Sequence, residues 1–323
     1  MRFLITGAAG FIGAATAERL LARGDEVVGV DNLNDYYSVT LKEARLERLR
    51  AKKGFSFIRL DIADAAALKK AATGEFDGII HLAAQAGVRY SIENPFAYER
   101  SNLQGHLSVL ELARSLEPAH VIYASSSSVY GANEKAPFAE TDRTDEPVSF
   151  YGATKKANEA MSAAYARLYK LPLTGLRFFT VYGPWGRPDM AYLIFMEKMQ
   201  KGEPIEIFNQ GKMGRDFTYI DDIVDGVIAA FEHPPGEADA FHRVFNLGND
   251  QPEELMTLVS LIEAEMGLEA RKIFKGMQKG DVVRTWADIS RARKILGYQP
   301  TISLKEGIAR TAEWRKTYNS PLF

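Results

Sequence analysis

Cysteine is absent from the 323-residue sequence, and its absence excludes disulfide bridges, thiolate metal sites and cysteine nucleophiles. This composition fits a reducing compartment, and we expect a cytoplasmic protein. An excess of one charge is also lacking, because 40 Lys and Arg residues stand against 42 Asp and Glu residues. The net charge of −2 supplies no broad positive field, so we expect neither a nucleic-acid polymer nor a membrane as a partner.

Long hydrophobic runs are lacking as well. No apolar stretch approaches the ~20 residues that cross a bilayer. Gly7, Gly10 and Gly13 interrupt the apolar start of the chain, so we expect no secretion signal. The five histidines show no close metal-ligand spacing, and we expect no metal site. The 46% of hydrophobic residues that are present can form a large core, in one large domain or two closely packed ones.

Short β-rich segments alternate with helical patterns in the first half of the chain. Strands are predicted at 2–6, 26–30, 55–60, 78–82 and 120–124, and helices at 12–23, 65–72, 102–116 and 150–171. The strands are apolar on both faces, which is typical of a parallel sheet that helices cover on both sides. We therefore predict an α/β fold with a doubly wound parallel sheet of the Rossmann type.

The alternation ends after Pro172. A sixth strand is predicted at 173–180, and the following segment 182–188 is rich in proline and glycine, which indicates that the chain leaves the sheet. We predict a smaller α/β substrate domain there, with the large domain at 1–179 and 216–247 and the smaller one at 180–215 and 248–323. The remaining predicted elements are a helix at 221–232, a strand at 243–247 and helices at 253–267, 288–296 with Asp288 as N-cap, and 303–318.

A glycine-rich turn links the first predicted strand to the first helix. It contains Gly7, Gly10 and Gly13, with Phe11 and Ile12 opening the helix. Small residues let the backbone approach a diphosphate while the helix N-terminus faces it. The spacing is G-x-x-G-x-x-G rather than the commoner G-x-G-x-x-G, and a tight turn packed on the sheet is the alternative interpretation.

Asp31 ends the second predicted strand, eighteen residues after Gly13. This is close to the ~20 residues expected for the acid that accepts hydrogen bonds from a ribose diol. Its neighbours Asn32, Leu33 and Asn34 are uncharged, so no arginine beside it receives a 2′-phosphate, and NAD is favoured over NADP. The alternative is a solvated turn residue at the strand end.

Tyr151 and Lys155 are four residues apart in a predicted helix, which places both on one face. A lysine in that position lowers the pKa of the phenol from its usual ~10. A run of serines, Ser125 to Ser128, follows the predicted strand 120–124 at its carboxyl end, the edge where doubly wound sheets bind ligands. The two patterns together favour a catalytic site, whereas a polar loop is the simpler interpretation of the serines.

Together these patterns resemble the extended short-chain dehydrogenase/reductases, of the NAD-dependent sugar-nucleotide epimerase/dehydratase type. The resemblance rests on TGAAGFIG at 6–13, HLAA at 81–84, ASSSSVYG at 124–131, YGATK at 151–155 and RDFTYIDD at 215–222. It implies catalytic roles for Ser126, Tyr151 and Lys155. It also implies a tightly bound NAD, regenerated in each turnover, that is contacted by Gly7, Gly10, Phe11, Ile12, Asp31, Asn32, Asn34, Asp61, Ile62, Leu82, Ala83, Ala84, Asn102, Tyr151, Lys155 and Phe178.

Further motifs are similar to those of the UDP-glucuronate 4-epimerases of this family: VDNLNDYYSVTLKEARLERL at 30–49, RFFTVYGPWGRPDMA at 177–191 and MQKGDV at 277–282. The resemblance implies that UDP-glucuronic and UDP-galacturonic acid are interconverted by transient C4 oxidation, with Tyr151 taking the 4-hydroxyl proton. It implies a homodimer packed through the helices around 102–116 and 151–169. The implied contacts to the UDP-sugar substrate are Arg89, Ser126, Ser127, Ser128, Thr180, Arg187, Phe208, Arg215, Gln278 and Asp281.

Two features bear on the choice of reaction. Ser127 and Ser128 stand where related dehydratases carry acid/base carboxylates, so we expect no dehydration. Arg187 supplies a guanidinium that fits a uronate carboxylate bidentately. If Arg187 instead forms only a structural ion pair, the alternative is a UDP-hexose 4-epimerase acting on neutral sugars. An alternative of another class is a catalytically silent NAD-sensing or scaffold protein.

Overall fold

The computed structural model describes residues 1–278, 280–318, 320 and 322, so Lys279 of the MQKGDV motif lies outside the described residues. The strands are β1 (Arg2–Thr6), β2 (Glu26–Asp31), β3 (Phe55–Arg59), β4 (Gly78–His81), β5 (His120–Ser126), β6 (Leu173–Phe178), β7 (Thr180–Tyr182), β8 (Ile205–Ile207), β9 (Gly214–Tyr219), β10 (His242–Leu247), β11 (Pro252–Glu254) and β12 (Lys272–Phe274).

The helices alternate with these strands in the first half of the chain. They are α1 (Phe11–Ala22), α2 (Val39–Arg50), α3 (Ala65–Ala71), α4 (Tyr90–Glu93), α5 (Pro95–Tyr98), α6 (Gly105–Leu116), α7 (Phe150–Tyr169), α8 (Ala191–Gln200), α9 (Ile220–Glu232), α10 (Leu255–Met266), α11 (Ser290–Leu296) and α12 (Leu304–Thr317). Among the described residues, each helix is too short or too polar to cross a membrane.

The central sheet has seven parallel strands in the order β10-β6-β5-β4-β1-β2-β3. Both faces are covered, because Phe3 and Ile5 of β1 pack into one hydrophobic core and Leu4 between them packs into the other. The strand order turns back at the β1–β4 pair, which opens a crevice at the carboxyl ends of these strands. The doubly wound Rossmann sheet predicted from the sequence is confirmed.

The predicted strand 173–180 is in fact two strands in two sheets. β6 ends at Phe178 in the central sheet, whereas β7 pairs in parallel with β9 in a separate sheet of order β11-β9-β7. β12 and β8 form a third, two-stranded sheet. β9 runs across the expected domain boundary between residues 215 and 216, and the division into two domains stays a prediction.

Two local expectations are wrong, and one helix is missing from the predicted elements. β3 lies at the edge of the sheet and exposes Ser56 and Arg59, so it is not apolar on both faces. Asp288 is not the N-cap of α11, because that helix begins at Ser290 after Ile289, and the Asp288 carboxylate accepts a hydrogen bond from the Ser290 N–H. The helix α2 was absent from the predicted elements, although Ser38 caps it by accepting a hydrogen bond from the Leu41 N–H.

A buried ion pair joins the helix that carries the candidate catalytic residues to the sheet. The guanidinium of Arg177 on β6 donates two hydrogen bonds of 2.8 Å to the carboxylate of Glu159 on α7. Ser125 of β5 donates to the same carboxylate at 2.6 Å. Burial raises the pKa of Glu159, but the hydrogen bonds and charge of Arg177 outweigh it, so the pKa lies below its ordinary value.

We expect Glu159→Gln to lower the free energy of unfolding by about 3–5 kcal/mol, because it leaves the charge of Arg177 buried without its partner. The measurement is the midpoint of urea unfolding at neutral pH. Glu43→Gln is the matched control, since Glu43 forms an exposed ion pair with Arg50 and its loss costs less than about 1 kcal/mol. Equal midpoints for the two variants would contradict the assignment of the buried pair as a main support of α7.

Candidate active site

The carboxyl ends of β1, β2, β4 and β5 open into one cavity of about 1370 Å³, part of which is open to solvent. The glycine-rich turn and the start of α1 form one wall, and residues of α7 and of the segment after β7 form another. The cavity therefore lies at the crevice that the strand order creates.

The glycine-rich turn has no room for side chains. Gly7 has a φ of +76°, and a Cβ there would lie 2.6 Å from the amide nitrogen of Ala83. A Cβ on Gly13 would lie 2.0 Å from the carbonyl oxygen of Gly7. The absence of side chains lets the first turn of α1 face the cavity through Gly10, Phe11 and Ile12. A helix N-terminus of this kind attracts the anionic phosphates of a dinucleotide.

Asp31 lies at the end of β2 in the same wall. Its carboxylate accepts hydrogen bonds from the backbone N–H groups of Ala9, at 3.1 Å, and Leu33, at 2.9 Å. Burial raises its pKa, although these hydrogen bonds and the charges of Lys42 and Arg45 oppose the rise. A half-buried carboxylate fixed in this way is suited to accept the hydrogen bonds of a ribose diol.

The argument against NADP from the neighbours of Asp31 in the sequence was incomplete, because α2 brings two cations close to it. Lys42 donates to the carbonyl oxygen of Asn34 at 2.5 Å and to its side-chain oxygen at 2.7 Å. Burial lowers the pKa of Lys42 to about 8. Arg45 is 1% exposed, and its guanidinium donates hydrogen bonds to backbone carbonyl oxygens and to a phenol oxygen.

The other expected NAD contacts fall on the same cavity with one exception. Residues in its wall are Asn32, Asn34, Asp61, Ile62, Leu82, Ala83, Ala84 and Phe178, together with Tyr151 and Lys155. Asn102 is the exception, because its side chain bonds to the backbone of Gln85 and to Thr154, behind the wall. Asn102 thus holds the loop after β4 against α7, and a direct contact with NAD stays a prediction.

Ser126, Tyr151 and Lys155 also line the cavity, at the end of β5 and in the first turns of α7. The ammonium of Lys155 donates to the carbonyl oxygen of Ala124 at 2.9 Å and lies 6.0 Å from the ring centroid of Tyr151. Ser126 accepts a hydrogen bond from the N–H of Ser128, which fixes the short turn Ser127–Tyr130. The three side chains therefore share one face of the cavity, as the spacing predicted.

Burial dominates the proton affinities of this group. It raises the pKa of Tyr151, whereas a hydrogen bond with Ser126 and the charge of Arg187 act to lower it. Burial also lowers the pKa of Lys155 to about 8. At neutral pH the phenol therefore keeps its proton and the lysine is mostly charged, so proton transfer from Tyr151 depends on nearby positive charge.

Arg187 reaches the cavity from the segment after β7. Its Nε and Nη2 atoms donate to the two carboxylate oxygens of Asp189, at 3.0 and 2.7 Å. The phenol of Tyr36 donates to the same carboxylate at 3.1 Å. Arg187 and Tyr36 both line the cavity, so this network forms part of its wall. Motif reading singled out Arg187 but missed Tyr36 and Asp189, although Asp189 stands only two residues further along the chain.

Five of the expected substrate contacts lie together outside this cavity. Arg89 pairs with Asp281 at 3.1 Å, and its guanidinium lies 5.1 Å from the ring centroid of Phe208. Arg215 faces the charges of Arg89 and Asp281, and Gln278 accepts from the N–H of Asp281. This cluster offers an aromatic face and two guanidinium groups, which suit a base and a diphosphate.

The remaining expected contacts are Ser127 and Ser128 in the turn after Ser126, and Thr180 at the start of β7. None of these three lines the cavity itself. Each stands beside a residue that does, since Ser126 precedes the turn and Phe179 and Val181 flank Thr180. Their contacts with substrate stay predictions.

Arg45 is a residue that sequence reasoning missed. From α2 it donates to the carbonyl oxygens of Ala9, Trp185 and Gly186 and to the phenol of Tyr37. It thereby ties the glycine-rich turn to the segment that carries Arg187. Trp185 has a φ of +63°, a conformation that costs an ordinary residue about 1 kcal/mol or more, and Arg45 holds it in place.

Comparison with known proteins agrees with the architecture of this site. The family model described as "NAD dependent epimerase/dehydratase family" matches residues 3–248. The chain is 50% identical to a probable UDP-glucuronate 4-epimerase of Rhizobium meliloti, with 97% of this chain and 96% of that protein covered. It is 49% identical to UDP-glucuronate 4-epimerase 3 of Arabidopsis thaliana, with 98% of this chain and 76% of that protein covered.

The fold of this chain is also similar to that of a solved structure. The UDP-glucuronic acid 4-epimerase of Bacillus cereus, in complex with UDP-glucuronic acid and NAD, superposes with a TM-score of 0.90 at 36% identity. The superposition covers 98% of this chain and 99% of that one. The glycine-rich turn, the half-buried Asp31 and the crevice at the strand ends all fit a dinucleotide. This chain belongs to the NAD dependent epimerase/dehydratase family.

Proposed function

We propose that this protein is a UDP-glucuronate 4-epimerase, which interconverts UDP-glucuronic acid and UDP-galacturonic acid with bound NAD. The observation that carries the proposal is the position of Arg187, in the wall of the cavity that also holds Ser126, Tyr151 and Lys155. A guanidinium beside the proton-transferring group is what a uronate requires and a neutral hexose does not. Two relatives that are 50% and 49% identical carry this activity in their names.

NAD, when bound, supplies reversible hydride acceptance at the sugar C4. The protein's part begins with Tyr151, whose phenolate, formed with the help of nearby positive charge, takes the proton of the 4-hydroxyl group and later returns it. The charge of Arg187 and a hydrogen bond with Ser126 oppose the rise that burial causes in the pKa of this phenol, and Lys155 places a further positive charge 6.0 Å from its ring centroid. Ser126 donates to or accepts from the same sugar oxygen, and its position is fixed by the turn that follows β5.

The second requirement is that the sugar rotates within the site while the nucleotide stays bound. The Arg89, Phe208 and Arg215 cluster suits the uridine and diphosphate and leaves the sugar free to rotate in the cavity. The 4-keto sugar formed on the way is a β-keto acid, which loses carbon dioxide when the C5–C6 bond that carries its carboxylate stands perpendicular to the plane of the C4 carbonyl. Arg187 holds the carboxylate out of that orientation.

We expect the purified protein to convert UDP-glucuronic acid to UDP-galacturonic acid without added cofactor and without net NADH. Proton NMR of the sugar H1 and H4 signals measures this conversion. Tyr151→Phe keeps the ring but lacks the proton-transferring oxygen, so its rate should fall by about 10²–10⁴. Wild-type protein that turned over neither UDP-glucuronic acid nor UDP-glucose, with or without added NAD, would favour the silent NAD-binding alternative.

Arg187→Ala separates the uronate epimerase from a hexose epimerase. We expect it to reduce kcat/KM for UDP-glucuronic acid by about 10²-fold, the value of a lost charged hydrogen-bonding pair, and to release carbon dioxide during turnover. The measurements are NMR of the products and trapping of labelled carbon dioxide from C6. Unchanged uronate turnover with no carbon dioxide would leave Arg187 with a structural role, and faster turnover of UDP-glucose by wild-type protein would identify a hexose epimerase.

We further propose a homodimer that packs through α6 and α7, which lie within the segments around 102–116 and 151–169 expected from the sequence. Its support is apolar surface on these helices, where Leu107 is 42% exposed and Leu168 is 71% exposed. Both helices pack on the same face of the sheet, so a second copy covers them together. A cytoplasmic location remains a proposal that rests on the absence of cysteine.

Light scattering after size exclusion should give twice the chain mass of 35.9 kDa. Leu107→Glu places a charge in the centre of the proposed interface and should shift the protein to the monomer mass. Leu268→Glu is the matched control, because Leu268 is 41% exposed and lies after α10, and it should remain dimeric. A wild-type monomer would contradict the proposed dimer.

A further inference from the structure

The guanidinium of Arg187 has two edges that can each bind a carboxylate through a pair of parallel hydrogen bonds. One edge presents Nε and Nη2, and the other presents Nη1 and the second hydrogen of Nη2. Asp189 occupies the first edge, with hydrogen bonds of 3.0 and 2.7 Å. Within the described part of the chain, Nη1 donates no hydrogen bond, so the second edge is the forked pair of donors left for a ligand.

The geometry of this pair is held from three sides. Pro188 stands between the two residues, so its ring fixes one backbone angle and restricts the conformation of Arg187 before it. The N–H of Met190 donates to the carbonyl oxygen of Arg187 and closes the turn that leads into α8. Tyr36 donates its hydroxyl proton to the Asp189 oxygen that also accepts from Nη2.

The electrostatics agree with a lasting pair. Burial raises the pKa of Asp189, but the charge and hydrogen bonds of Arg187 outweigh it and hold the pKa below its ordinary value. Burial and the charge of Asp189 raise the pKa of Tyr36, which therefore remains a donor. Arg187 and Asp189 are only 24% and 28% exposed, so solvent screens their attraction incompletely.

We propose that Asp189 and Tyr36 are positioning residues that present only the Nη1–Nη2 edge of Arg187 to the substrate carboxylate, and so keep the epimerase from decarboxylating its 4-keto intermediate. This inference rests on the proposed function, because it concerns the fate of a uronate. Asp189 is not among the residues that line the cavity, and it acts through Arg187. It fixes the plane of the guanidinium, and the plane of the bound carboxylate follows from it.

The chemistry explains why the plane matters. In the side reaction the C5–C6 bond of the 4-keto uronate breaks, C6 leaves as carbon dioxide, and the electron pair of the bond passes into the C4 carbonyl as an enolate. C5 then takes a proton, and the product is a UDP-4-keto-pentose with one NAD left as NADH. The bond breaks readily only when it stands perpendicular to the carbonyl plane. The carboxylate moves with this bond. A guanidinium that is free to tilt follows the carboxylate into the perpendicular orientation, whereas a guanidinium held by Asp189 opposes that movement.

The test is the partition between the two products in Asp189→Asn, which keeps the size of the side chain and removes its charge. Single-turnover and steady-state reactions with UDP-glucuronic acid labelled at C6 measure carbon dioxide against UDP-galacturonic acid. We expect the ratio to rise by about tenfold, which corresponds to ~1.4 kcal/mol between the two paths. Asp145→Asn is the matched control, since Asp145 forms an exposed pair with Arg143 and its loss should leave the ratio unchanged.

Tyr36→Phe provides an independent variant, because it removes only the hydroxyl that donates to Asp189. It should raise the same ratio by a smaller factor, and it decides the question if Asp189→Asn does not fold. A purely structural role would lower the overall rate of both variants without changing the partition, and that result would overturn the inference. Failure of the wild-type protein to epimerise UDP-glucuronic acid would instead refute the proposed function, and the two results are distinguished by the wild-type reaction alone.

Discussion

The cofactor side and the substrate side of the cavity depend on one buried guanidinium. Arg45 binds the carbonyl oxygen of Ala9 in the glycine-rich turn and the carbonyl oxygens of Trp185 and Gly186 in the segment after β7. A buried charge of this kind is tolerated only because each of its donors is used. Since Arg187 follows Gly186 directly, the place of the arginine proposed to bind the substrate is set by contacts made from α2, on the side of the glycine-rich turn.

A buried ion pair supports α7, the helix that carries Tyr151 and Lys155. Arg177 and Glu159 connect β6 to α7, and Ser125 of the serine run completes the pair. Ser125 and Ser126 are neighbours in the chain but bind different partners, because side chains alternate along a strand. Ser125 donates to the buried pair, and both serines line the cavity that holds Tyr151. The serine run is thus both part of the framework and part of the candidate site.

Much of the candidate site follows from local patterns. The glycine spacing, the acid at the end of β2 and the Tyr151–Lys155 pair each depend on a strand end or one helix face, and periodicity places such positions reliably. The helix α2 escaped notice because its buried face includes Lys42 and Arg45, so the apolar repeat that marks a helix is broken. Asp189 escaped because a charge two residues from an arginine looks like an ordinary surface pair until Tyr36, 153 positions away, is seen to bind it.

The sequence by itself determined the class of sheet, the cofactor turn and the residues proposed to transfer the proton, because each is encoded within a few consecutive positions. Only the tertiary structure decided which edge of Arg187 binds Asp189, which cations stand near Asp31, and that Asn102 lies behind the wall. These features depend on contacts between residues far apart in the chain. Burial and charge pairing select among such contacts, and neither is set until the strands and helices have packed.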